Sequence, residues 1–124
     1  MQIIMIQGKL PSLNEYVRIC RGNRYYAGKK VKEIEQGIIL QLSKLKPISQ
    51  PVYIGFEWHE ANQRRDKDNI AFAKKFVLDA LQYAGKLPNY NNKYLLGFTD
   101  GFVYGKEYGV KLYIVSENER FKSV

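Results

Sequence analysis

Within six residues the chain places Arg64, Arg65, Asp66, Lys67, Asp68 and Asn69, and the helical pattern that follows ends in Asp79-Ala80-Leu81. Two carboxylates one residue apart, set among three cations, suit a site that handles a phosphate together with a divalent metal. If the turn is extended, alternate side chains point the same way and the two carboxylates converge. Like charges that close repel, and Mg²⁺, which is held by one or two carboxylates plus water, relieves the repulsion. Such an ion would stabilise charge on a phosphodiester oxygen or activate water for in-line attack. A structural alternative competes: Asp68 or Asn69 caps the helix through its free amides, leaving Arg64, Arg65 and Lys67 as surface charges. Capping accounts for one of these residues but not for a second carboxylate among three cations.

The elements that must position this stretch follow from periodicity. Residues 2–7 read as a strand closed by Gly8 and the Pro11-Ser12 turn signal. From Tyr16 to Lys32 the chain reads as a loop, marked by Gly22 and Gly28: it has no acidic residue, and Arg18, Arg21, Arg24, Lys29, Lys30 and Lys32 are interleaved with Tyr16, Tyr25 and Tyr26. Cations for phosphates and rings for bases are what a nucleic-acid-facing loop uses, and a solvated surface loop is the plain alternative. Val31, Ile34, Ile38, Leu42 and Leu45 predict an amphipathic helix from about residue 29 to 46, ended by Pro47 and Pro51. Val52, Ile54, Phe56 and Trp58 alternate with Tyr53, Gly55, Glu57 and His59, the period of a strand with one buried face. Trp58 then belongs to the core, and His59, on the other face, is an ordinary surface or hydrogen-bonded residue before it is a ligand or base.

After the central stretch, Ile70, Ala73, Val77, Ala80, Leu81 and Ala84 form a helical stripe with Gly85 as terminator. The run 87–92 is a loop. Residues 94–104 have strand character, with Asp100-Gly101 suggesting a bulge or a break, and 110–115 predicts a last strand paired with it as a hairpin. Residues 116–124 are a polar tail. The order strand, loop, helix, strand, helix, strand, strand predicts one α/β (α+β) domain over residues 1–124, a single small mixed sheet with two main helices packed on it.

Composition narrows the function classes. The chain has 124 residues, 20 Lys+Arg against 12 Asp+Glu, and a formal net charge of +8, which favours polyanionic partners, nucleic acid first. Cys20 is the only cysteine, so neither an internal disulfide nor a cysteine-based zinc site can form. The N-terminal stretch lacks the basic region of a signal peptide and no apolar run approaches a membrane span, so a cytoplasmic, non-membrane protein is expected.

Arg65-Asp66-Lys67-Asp68-Asn69, the helix ending in Leu78-Asp79-Ala80-Leu81, and the upstream Leu10-Pro11-Ser12-Leu13-Asn14-Glu15-Tyr16 together resemble the RusA family of Holliday junction resolvases over most of the chain. The resemblance implies a homodimeric, Mg²⁺-dependent endodeoxyribonuclease, with Mn²⁺ as a substitute, common in prophages and acting in DNA recombination and repair. It implies binding to four-way DNA junctions and symmetric cutting of two opposed strands. Carried over, Asp66 and Asp68 are catalytic metal ligands. A functional helix lysine falls on Lys75 when counted back from Asp79-Ala80-Leu81, with Lys74 the close alternative. Arg18, Arg21, Arg24, Lys29, Arg64, Arg65, Lys67 and Lys74 would bind the DNA.

One departure stands out: where the family has a third catalytic aspartate, the loop 87–93 has no acid, and Tyr90 occupies the position. Asp100 from the neighbouring strand, or an asparagine carbonyl of the loop, would restore the metal set. Without either, the expectation becomes a junction-binding protein that has lost cleavage.

Overall fold

A computed structural model describes residues 1–89, 91, 93–117 and 119. Its elements are β1 (Gln2–Gln7), α1 (Leu13–Arg21), α2 (Arg24–Leu40), β2 (Val52–Glu60), α3 (Lys67–Ala71), α4 (Lys74–Tyr83), β3 (Leu95–Tyr104) and β4 (Gly109–Ser116). The four strands form one mixed sheet in the order β1-β4-β2-β3, the small α+β architecture expected.

The alternation in β2 works as the sequence predicts. Val52, Ile54, Phe56 and Trp58 are all buried, and they meet Ile38, Leu42, Phe76, Val77 and Leu81 from the helices and Val110, Leu112 and Ile114 from β4 in one core. Glu60, next in the same phase, is buried as well. Tyr53, Gly55, Glu57 and His59 face away from the helices and stay partly exposed. There His59 Nε2 and Glu57 Oε1 lie 2.8 Å apart in hydrogen-bonding contact.

Pairing of the last two strands differs from expectation. β3 and β4 are not a hairpin: β3 runs parallel to β2, with Phe56 opposite Asp100, while β4 is antiparallel to both β1 and β2. A strand followed by helices returns parallel through a crossover, so α3 and α4 dictate the β2/β3 pairing. The chain then passes over the end of β2, where the Gly105 amide bonds the Glu60 carbonyl at 2.9 Å, and drops into the gap between β2 and β1. Gly109 opens β4 there because a Cβ would sit 2.6 Å from the Ile6 carbonyl oxygen. β3 is continuous through Asp100-Gly101; the sheet's irregularity lies at Val52/Tyr53 instead.

The basic stretch expected as a loop is helical. Ser12 Oγ accepts from the Glu15 amide at 3.2 Å and donates to Glu15 Oε1 at 3.2 Å, an N-cap that starts α1. Asn23 Oδ1 accepts from the Tyr25 and Tyr26 amides and starts α2. Tyr16 anchors α1, its ring 5.3 Å from Phe72 and 5.7 Å from Phe76. α2 begins five residues earlier than the apolar stripe predicts and ends at Leu40, with Leu42 and Leu45 buried in the turns beyond it. The expected helix after the central stretch is two, α3 and α4, broken at Phe72-Ala73. α4 ends as predicted: Gly85 has φ +71°, the Gly85 amide bonds the Gln82 carbonyl, and the Lys86 amide bonds the Leu81 carbonyl.

Candidate metal and phosphate site

Arg65 organises the region. Its Nε and one terminal nitrogen each donate at 2.8 Å to the two oxygens of Glu60, and the other terminal nitrogen donates to the Leu10 carbonyl at 2.8 Å and Glu15 Oε1 at 3.1 Å. One guanidinium thus ties the end of β2, the segment after β1 and the first turn of α1. Burial alone would lower the Arg65 pKa, but the hydrogen bonds and charges of Glu60 and Glu15 outweigh it and hold the guanidinium more firmly protonated. Burial pushes Glu15 upward, yet Arg65, Lys9 and Ser12 together bring its carboxyl below the usual range.

This clamp brings the two sequence elements together. A cleft of about 200 Å³ is lined by Ser12, Asn14, Glu15 and Arg18 on one side and by Arg64, Arg65, Asp66 and Asn69 on the other. Asp66 occupies the cap position of α3 with extended backbone, φ −71° and ψ 151°, but its carboxylate makes no capping bond. Asp68, in the first turn of α3, is exposed like Asp66. Neither has a hydrogen-bond or ion-pair partner among the described residues, so the capping alternative does not absorb these carboxylates.

No family model matches the chain, and comparison with curated proteins gives no significant match.

Asp100 does not join the aspartate pair as a third ligand. Trp58 Nε1 donates to its Oδ1 at 2.9 Å and Lys74 Nζ donates to its Oδ2 at 2.7 Å, so both oxygens are engaged on the sheet. Among the described residues, no three His, Cys, Asp or Glu side chains are grouped to hold a metal ion. The reason is register: Asp100 stands opposite Phe56 in β3, beside the buried Trp58, where an indole N–H and a lysine satisfy it. Tyr90, at the position of the expected third acid, lies outside the described residues.

The cations divide by location. Arg18 and Arg64 are exposed and line the cleft; Arg21, Arg24 and Lys29 are exposed on α1 and α2 outside its lining. Arg65, expected as a DNA contact, is instead spent on protein, with four donations and a side chain only 14% exposed. Lys74 is equally covered and pairs with Asp100. Lys75 lies on the α4 surface 3.7 Å from Asp79. Lys67 faces β3, its Nζ 5.8 Å from the Phe102 ring centre and 6.0 Å from that of Tyr104.

Sequence reasoning overlooked Glu60 and Glu15. Both signals were present: Glu60 continues the buried phase of β2, and Ser12-x-x-Glu15 is a capping-box pattern.

Proposed function

We propose that this chain is a RusA-like, Mg²⁺-dependent endonuclease of branched DNA, working as a homodimer inside the cell. The observation that carries the reading is the Arg65 clamp. It joins two sequence elements about 50 residues apart into one cleft where exposed cations meet the unpartnered Asp66 carboxylate, with Asp68 two residues on and outside the lining. Basic side chains beside free carboxylates are a combination that serves a phosphodiester and a divalent cation together.

Asp66 and Asp68 fit Mg²⁺ by chemistry, being hard oxygen donors with no competing protein partner among the described residues. When bound, the ion would neutralise charge on a phosphate oxygen and lower the pKa of a coordinated water. Arg18 and Arg64 hold the strand by its phosphates, and the Asn14 and Asn69 amides orient it without reading sequence. Lys75, proposed to offset phosphate charge, would leave Asp79 to do so; Lys74 would leave Asp100. Two copies would present two such sites to opposed strands of a four-way junction.

A second reading, a junction-binding protein without cleavage, is favoured by one observation: the engagement of Asp100 by Trp58 and Lys74. Incubation of the purified protein with a labelled four-way junction, with and without Mg²⁺, separates them. Cleavage lost in Asp66→Asn and Asp68→Asn supports the enzyme; retention of the junction with no cut product supports the binder. No preference for the junction over linear duplex at moderate salt would overturn both.

A further inference from the structure

We infer that the helix-side surface of β3 is a stacking shelf for unpaired bases, which would make the substrate of the proposed site a strand with unstacked nucleotides rather than intact duplex. This inference rests on the nucleic-acid reading above. β3 is an edge strand, and on the side facing the helices it presents Phe98, Asp100, Phe102 and Tyr104 in alternation. Phe98 is 52% exposed, although its ring meets Phe56 edge-on at 6.4 Å. Cations stand over these rings: Lys74 Nζ is 3.7 Å from the centre of Phe98, and Lys67 Nζ lies near Phe102 and Tyr104. The shelf is continuous with the candidate site, because Lys67 sits between Asp66 and Asp68 in the chain while its ammonium reaches the β3 aromatics.

The chemistry selects the occupant. An apolar peptide laid along this strand would bury Lys67 and the Lys74/Asp100 pair at a desolvation cost. A nucleotide places its flat base on the exposed part of the Phe98 ring that Lys74 does not cover and its phosphate near the Lys67 ammonium, so both kinds of group are satisfied together. Lys74 is neutralised by Asp100, which leaves Lys67 as the shelf's phosphate contact; among the described residues Lys67 has no carboxylate partner. Stacking of this kind is indifferent to sequence and demands that the base be out of the helix, a condition that paired DNA meets only at branch points, bulges and ends.

The test uses the full chain in chelator, so that cleavage cannot intervene, with three probes: an oligothymidine, a fully paired linear duplex and the same duplex carrying an unpaired 2-aminopurine. Phe98→Leu keeps an apolar side chain and removes the ring. It should weaken the oligothymidine and bulged probes by about 5- to 150-fold, the range of one lost stacking contact, while changing the fully paired duplex less than about twofold. Phe98→Trp should retain binding and quench 2-aminopurine at least as strongly as the unmodified protein. Equal loss on all probes, or no loss, overturns the shelf. So does a change of oligomeric state in Phe98→Leu by sedimentation, which would assign the strand to a second copy. If Phe98→Leu binds every probe like the unmodified protein while Arg18→Ala or Arg64→Ala weakens all of them, the shelf falls and the nucleic-acid reading stands. If the unmodified protein binds none of the probes, both fall.

Discussion

Removing Arg65 should unfold more of this protein's stability than removing any exposed cation. Glu60 has a side chain only 4% exposed and meets Arg65 through two 2.8 Å bonds. In Arg65→Ala that carboxylate is stranded in the interior, the Leu10 carbonyl loses its donor, and α1 loses its tie through Glu15. Stranding one partner of a buried pair costs about 3–5 kcal/mol. For 124 residues the unfolding entropy is about 0.26 kcal/mol/K, so the melting temperature should fall by about 12–19 °C. Trp58 is the only tryptophan and is buried, so its fluorescence in urea reports the transition directly. Arg65→Lys keeps the charge without the fork and should fall between Ala and the unmodified protein. The decisive control is Arg65→Met with Glu60→Leu: with both charges gone, stability should return to within about 1 kcal/mol of the unmodified chain. A loss below about 1 kcal/mol in Arg65→Ala, or a double variant no better than the single, would refute the clamp.

Other outcomes follow from the same geometry. Asp66→Asn and Asp68→Asn, at exposed and unpartnered positions, should change folding stability by less than about 0.5 kcal/mol in the same urea assay while removing Mg²⁺-dependent cleavage of a labelled junction. Glu35 is held above the usual carboxylate range by burial first and by the charge of Asp79 second, against the opposing pull of Lys75. Its neutral form is therefore the one the fold prefers, and the stability it contributes is present at low pH and lost as pH rises through its folded-state pKa. Glu35→Gln should then stabilise the protein at neutral pH by about 0.5 kcal/mol, the scale of a like-charge pair on a helix, and the gain should vanish in acid. Glu15 works with the opposite sign: its carboxyl is lowered in the fold, so its contribution is present above the ordinary glutamate pKa and lost as pH falls through the folded value. Glu15→Gln should accordingly flatten the acid side of the stability profile measured by Trp58 fluorescence. Lys74→Met leaves Asp100 with the Trp58 indole alone and should destabilise more than Lys75→Met, whose pair with Asp79 spans 3.7 Å at a more exposed position.

The sequence by itself determined the class of fold and the strand that delivers the central stretch. Alternation in Val52, Ile54, Phe56 and Trp58 is local information, because burial of one sheet face imposes a period of two on any strand that covers a core. Gly85 as the end of α4 was equally legible, since the left-handed conformation needed there favours glycine. The helices α1 and α2 were written in their caps, Ser12 with Glu15 and Asn23, but the glycines and the acid-free spread of cations masked them. Tertiary structure decided the rest. Placing β4 between β1 and β2 depends on which strand edge remains free after the crossover, a property of the whole sheet that no local pattern carries. The roles of Arg65 and Arg64, adjacent and chemically identical in sequence, separate only when Glu60 arrives from the buried face of β2 and Glu15 from α1. Asp100 likewise looks like any carboxylate in the chain until Trp58 and Lys74 close on it, because a side chain's partners are chosen by neighbours distant in sequence. Asp66 and Asp68 are the complement of this: the fold leaves both without partners among the described residues, but α3 begins at Lys67, so the extended spacing that would make the two carboxylates converge stops at Asp66.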